Sequence, residues 1–117
     1  MQTIIDSRGI IDILDNLEMP FIPCRLFVVH DVETGTIRGQ HGHKRCQQLL
    51  ICWNGSIEIS TPDTVLILQK GDTFFLDKRV VSQQKYLTPD AVLLVLCSHH
   101  YDAEDYVYEK WICRSVI

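Results

Sequence analysis

The rhythm of turn signals constrains this chain more than any other feature. Short apolar or alternating runs recur about every ten residues, each closed by Gly, Pro, Asn or Asp. Residues 10–14 read as a strand, and Pro20 and Pro23 bracket an extended or turned stretch. Residues 25–32 are β-rich, and 33–35 form a turn. Residues 47–53 are a strand closed by Asn54-Gly55, the strongest short hairpin signal in the chain. Residues 56–60 alternate, with Ile57 and Ile59 on one face. Turns at 61–63 and 70–72 enclose a strand at 64–68, and residues 73–76 and the apolar run 91–97 complete the set. Residues 102–107 open with acidic side chains and predict a short C-terminal helix or tail. The pattern as a whole predicts an all-β fold, an antiparallel sandwich or small barrel.

Length and charge narrow the function classes. With 117 residues and no linker or repeat, residues 1–117 are expected to form a single domain. Eleven Lys and Arg against fifteen Asp and Glu give a net charge of −4, which argues against nucleic acid as a partner. A small anionic ligand stays compatible, because a few local arginines can serve one. No apolar run reaches the roughly 18 residues of a membrane helix, and residues 1–15 lack a signal-peptide core. A cytoplasmic location is expected. The cysteines are 24, 46, 52, 97 and 113, an odd number without a CxxC pair. They read as reduced structural thiols, with Cys46, beside His43 and Lys44, as the one weak candidate for a nucleophile.

The chemistry concentrates in Gly35-Thr36-Ile37-Arg38-Gly39-Gln40-His41-Gly42-His43-Lys44. On a strand, two histidines two residues apart point to the same face. Such a pair can begin a metal site, place two acid/base groups beside one substrate, or simply sit on the surface near a turn.

Gly35, His41, His43 and Gly55 fit the first cupin motif, with its glutamate position falling on Gln47 or Gln48. The second motif begins at Gly71, but Asp77, Arg79 and Ser82 replace its Pro, Gly and His. Two of the four usual ligands are thus poor metal ligands, and the chain resembles a cupin that uses neither metal nor other cofactor. A narrower resemblance spans most of the chain. Asp6-Ser7-Arg8-Gly9, Arg38-Gly39-Gln40-His41-Gly42-His43-Lys44, Gln48-Leu49-Leu50-Ile51-Cys52 with Asn54-Gly55-Ser56, Ala91-Val92-Leu93-Leu94-Val95-Leu96, and Tyr101-Asp102-Ala103-Glu104-Asp105-Tyr106 resemble, in order and spacing, the sugar 3,4-ketoisomerases acting on dTDP-4-keto-6-deoxyglucose.

The resemblance implies a cupin jelly-roll barrel that moves a ketone from C4 to C3 of a dTDP-linked 4-keto-6-deoxyhexose. It implies His41 and His43 as the acid/base pair, with His41 the C3 base. Arg38 would stabilise oxyanion charge and Arg8 would hold the pyrophosphate. Gln47, His30 and Lys44 complete the substrate-binding set, although His30 alone on its strand also reads as a structural histidine. A homodimer with an exchanged N-terminal strand is implied, so that Arg8 serves the neighbouring site. Tyr101, Tyr106, Tyr108 and Trp111 read as packing or dimer contacts. The stretch 75–83 departs from the family's Pro-Pro-x-x-Trp loop, and residues 27–30 lack its tyrosines. Those departures leave an alternative: a non-catalytic or regulatory sugar-nucleotide-binding cupin, or an isomerase or epimerase for a different nucleotide sugar.

Overall fold

Alternation along the strands sorts side chains onto two faces, and two faces meet as the core. A computed structural model describes residues 1–108, so Trp111 and Cys113 lie outside the described residues. In β10 (Val92–Cys97), Leu93, Val95 and Cys97 are buried while the alternate residues are half-buried. β10 pairs antiparallel with β3 (Arg25–Val29) and β5 (Gln48–Asn54), and β5 pairs with β8 (Thr73–Leu76). The resulting four-stranded sheet runs β3-β10-β5-β8. Its registers align Phe27, Val95, Leu50 and Phe74 on the inner face. A second sheet runs β11-β4-β9-β6-β7. Its strands are β4 (Ile37–His43), β6 (Ser56–Ser60), β7 (Val65–Gln69), β9 (Ser82–Tyr86) and β11 (Tyr106–Val107). Ile57, Ile59, Leu68 and Tyr86 from this sheet meet Leu50, Cys52, Leu93 and Val95 from the first. All strand pairings are antiparallel, and the two faced sheets form the cupin jelly roll that the sequence leads one to expect.

The structure departs from the local sequence signals in three places. Asn54-Gly55 does not close a hairpin: β5 and β6 lie in different sheets, and the turn carries the chain from one to the other. Gly55 has φ +70, and a Cβ there would fall 2.3 Å from the Thr88 hydroxyl, so the glycine answers to close approach as well as to backbone shape. Residues 102–107, expected as a short helix or tail, form a single 3-10 turn, Ala103–Asp105, followed by β11. β9, SerGlnGlnLysTyr, carries no apolar alternation, because most of its side chains are polar whichever way they face.

β1 (Gln2–Asp6) and β2 (Gly9–Ile13) form a separate hairpin that leaves Ile5 72 %, Ile10 65 % and Ile11 55 % exposed. Cys46, Cys52 and Cys97 are buried free thiols, whereas Cys24 is exposed. Burial pushes the thiols of Cys52 and Cys97 up to about 11, which suppresses the thiolate. Cys46 is likewise enclosed, with its thiol donating to the Gln47 carbonyl, so no thiol in the core is set up as a nucleophile.

Two buried polar groups lack a hydrogen-bond partner among the described residues, Gln83 Nε2 and the Tyr86 hydroxyl. Burial raises the pKa of the Tyr86 hydroxyl to about 12. Since an orphaned hydroxyl carries its full desolvation cost, Tyr86→Phe is expected to stabilise the fold by about 1 kcal/mol. Urea unfolding should show a raised midpoint with an unchanged slope; a lowered midpoint would mean that the hydroxyl has a partner after all.

Candidate active site

Arg38 and His41 are three residues apart, so a regular strand would point them to opposite faces. β4 is not regular. Its register against β9 pairs Arg38 with Gln84, Gly39 with Gln83 and then His41 with Ser82, leaving Gln40 as an extra residue. Gly39 has φ +92 and Gln40 φ +66, the left-handed backbone of a β-bulge. The bulge returns His41 to the face that Arg38 occupies, and His43 follows two residues on. Gly42, between the histidines, points the other way, where a Cβ would lie 2.8 Å from the Val80 carbonyl oxygen. The glycine thus lets the 77–81 loop press against the back of the histidine strand.

Arg38, His41 and His43 open into a cavity of about 660 Å³ in the slot between β3, at the edge of its sheet, and β4. That size lies within the range of small-molecule sites. Leu50, Leu93 and Val95 make its floor. The β3 wall supplies Arg25, Phe27, Val29 and His30, and the opposite wall adds Ser82, Gln84 and Tyr106. The histidine rings stand edge to face with centroids 5.2 Å apart. His41 Nδ1 lies 3.2 Å from the Gly39 carbonyl oxygen. A carbonyl only accepts, so Nδ1 of neutral His41 carries the proton and Nε2 keeps a free lone pair. His43 is buried, and burial pushes its imidazole below the ordinary histidine range. The charge of His41 pushes the same way, Asp105 opposes, and Arg25 adds a smaller downward effect.

The shift has a consequence for stability. An unfolded His43 takes up its proton near pH 6.5, while the folded one resists to lower pH. The unfolded chain therefore binds more protons as pH falls through that window, and stability is lost there. Urea unfolding at pH 7.5 and pH 5.5 should show a larger loss for the wild type than for His43→Gln; equal losses would deny His43 this linkage.

Asp105 anchors the tail beneath the site. Its carboxylate accepts from the backbone N–H groups of Arg45 at 3.0 Å and Cys46 at 3.2 Å, and from Arg45 Nε at 3.3 Å. Burial opposes its ionisation, but these donors prevail and hold the carboxyl below the usual range. The Lys44 N–H donates to the Asp105 carbonyl at 2.7 Å. β11 consequently pairs with β4, Tyr106 opposite His43 and Val107 opposite Gly42.

The other residues singled out in the sequence divide. His30 lines the cavity and is paired with Asp31. Gln48, not Gln47, faces the cavity, because β5 alternation turns Gln47 to the rim, where it donates to Asp77 at 3.0 Å. Lys44 is exposed outside the cavity lining. Arg8 sits at the tip of the N-terminal hairpin, its side chain 87 % exposed and paired with Asp6, away from the cavity of its own chain. Sequence reasoning missed Arg25 and Tyr106 as lining residues. Arg25 stands over the rings of Phe27 and Tyr101, and neither it nor Arg38 is paired with a carboxylate among the described residues. Among the described residues no three His, Cys, Asp or Glu side chains converge as a metal site. No described helix is long and apolar enough to cross a membrane.

The sequence matches the family described as FdtA: WxcM-like, C-terminal, over residues 1–112. It is 30 % identical to TDP-4-oxo-6-deoxy-alpha-D-glucose-3,4-oxoisomerase of Aneurinibacillus thermoaerophilus, over 95 % of this chain and 88 % of the relative. Among solved structures, it resembles WlaRA, a TDP-fucose-3,4-ketoisomerase from Campylobacter jejuni. The TM-score is 0.75 at 30 % identity, covering 92 % of this chain and 84 % of that one. It also resembles QdtA, a sugar 3,4-ketoisomerase from Thermoanaerobacterium thermosaccharolyticum solved in complex with TDP. There the TM-score is 0.72 at 32 % identity, covering 92 % and 83 %.

Proposed function

The chain belongs to the FdtA: WxcM-like, C-terminal family, and from that membership we propose that its slot between β3 and β4 binds a TDP-linked 4-keto-6-deoxyhexose and moves the ketone from C4 to C3. The protein is a sugar-nucleotide 3,4-ketoisomerase, an intramolecular oxidoreductase. The observation that carries the site assignment is the pair of imidazoles, 5.2 Å apart on one strand face, in a cavity with two guanidiniums that form no ion pair among the described residues.

The reaction balances within the sugar. C3 loses its hydrogen as a proton, a C3–C4 enediol forms, and C4 gains a proton while the hydroxyl proton on O3 is lost and O4 gains one. C3 is oxidised and C4 reduced by the same electron pair. His41, with its Nε2 lone pair free, takes the C3 proton. His43, held neutral by burial, presents a neutral imidazole for proton exchange with the enediol oxygens and C4. Arg38 faces the negative oxygen that develops at O4. Gln48 and His30 contribute hydrogen-bonding groups to the cavity wall.

The hairpin β1–β2 exposes four isoleucines, Ile4, Ile5, Ile10 and Ile11, and carries Arg8 at its tip. A homodimer that exchanges this element would cover the isoleucines and bring Arg8 to the partner's slot, where its planar fork suits a pyrophosphate. Light scattering that returned a monomer mass would remove this part of the proposal.

Incubation with TDP-4-keto-6-deoxyglucose in deuterated buffer tests the activity by NMR. Loss of the C3 proton signal with appearance of a 3-keto product is expected. Tight TDP binding with no exchange and no product would instead leave a non-catalytic sugar-nucleotide binder, a reading that the named activities of the relatives do not support.

A further inference from the structure

One phenol touches both imidazoles. The Tyr106 ring lies flat on His41, with centroids 4.4 Å apart and planes 6° from parallel. It meets His43 edge-on at 4.8 Å and 85°. The residue cannot easily withdraw from this position. Its backbone pairs with His43 across β11 and β4, and the preceding Asp105 is fastened to the 44–46 segment by the hydrogen bonds described above. Asp102 caps the 3-10 turn by accepting from the Glu104 N–H, and also takes Arg45. Burial, chiefly, keeps the Tyr106 phenol protonated.

Two constraints therefore bear on His41. The Gly39 carbonyl holds Nδ1, and the phenol face holds the plane of the ring, so the direction of Nε2 is set by both. The face of a phenol is also electron-rich, and it attracts a cation above it more than a neutral ring. An interaction stronger after proton transfer than before it assists the transfer.

We propose that Tyr106 is a positioning residue for the histidine base: its ring, clamped by Asp105, fixes the plane of His41 and supports the positive charge that His41 acquires on taking the C3 proton. The inference rests on the isomerase reading and adds a residue to it.

Tyr106→Phe keeps the ring and Tyr106→Leu removes it, so the pair separates ring from hydroxyl. Tyr106→Phe should keep kcat within about threefold. Tyr106→Leu should lower kcat by about 10- to 100-fold, with KM and TDP affinity little changed, as expected for loss of aim and of charge support at one base. Imidazole nitrogen NMR should show a single His41 tautomer in the wild type and in Tyr106→Phe, and a mixture in Tyr106→Leu. The proposal is overturned if Tyr106→Leu keeps both kcat and the single tautomer. Equal loss in Tyr106→Phe overturns it too, because the hydroxyl would then be the acting group. So does loss of kcat and TDP binding together in Tyr106→Leu, which marks a merely structural role. If the wild type binds TDP but exchanges nothing, the isomerase reading falls and the charge-support half of the proposal falls with it. The tautomer spectra still decide the clamp.

Discussion

A His41→Asn protein is expected to bind TDP with unchanged affinity and to lose C3 proton exchange by about 10²- to 10⁴-fold, the range that one positioned general base supplies. Asparagine is close to imidazole in size and can still donate to the Gly39 carbonyl, so the local backbone has no reason to move. What disappears is the lone pair at the Nε2 position. The side chain is only half-buried and makes no other hydrogen bond among the described residues, so the fold should tolerate the change. Deuterium incorporation at C3 followed by NMR, beside TDP binding by calorimetry, gives both numbers from one preparation. Normal exchange in this variant would transfer the base to another group, with His43 first in line. Loss of binding in parallel would mean that His41 holds the ligand rather than acts on it.

The sequence makes the fold legible because the inner and outer faces of most strands differ in polarity. β6, β8 and β10 follow their alternating or apolar runs closely. Legibility fails where the inner face borders the cavity. β9 turns Ser82 and Gln84 toward a polar slot, so its sequence lacks the apolar period that reveals its neighbours. Asn54-Gly55 shows the limit of local rules in another way. The dipeptide specifies backbone shape, and the same shape that closes a hairpin also serves a crossing between sheets.

The site was legible at its centre and not at its edges. Two histidines two residues apart share a face in any strand, so their convergence follows from sequence alone. Gln47 and Gln48 could be separated only by knowing which of the two begins the inward set, and β5 starts that set at Gln48. Tyr106 enters the cavity because Asp105, sixty residues from Arg45, ties the tail to the 44–46 turn. A contact over that separation leaves no local mark. The acidic tail was visible in the sequence, but its purpose becomes plain only when its carboxylate meets the backbone donors that it satisfies.

Arg38 offers the second large effect. Arg38→Met is expected to lower kcat by about 10²- to 10³-fold, the cost of deleting one donor to a developing oxyanion. The expectation depends on the bulge at Gln40, since without the extra residue's left-handed backbone the guanidinium would face away from the histidines. It depends also on charge. Arg38 has no carboxylate partner among the described residues, so its hydrogen bonds are uncommitted, and an enediolate oxygen can use them without first breaking an ion pair. Methionine preserves most of the stem and removes the charge, so the change tests the guanidinium rather than the packing of the stem. Steady-state kinetics divide the two roles open to this residue. A fall in kcat with KM unchanged places the guanidinium on the oxygen that becomes negative in the transition state. A rise in KM with kcat unchanged would place it on a group that is already charged in the ground state, the pyrophosphate. The oxyanion role would then have to pass to Arg25, the other guanidinium in the slot without a carboxylate partner among the described residues.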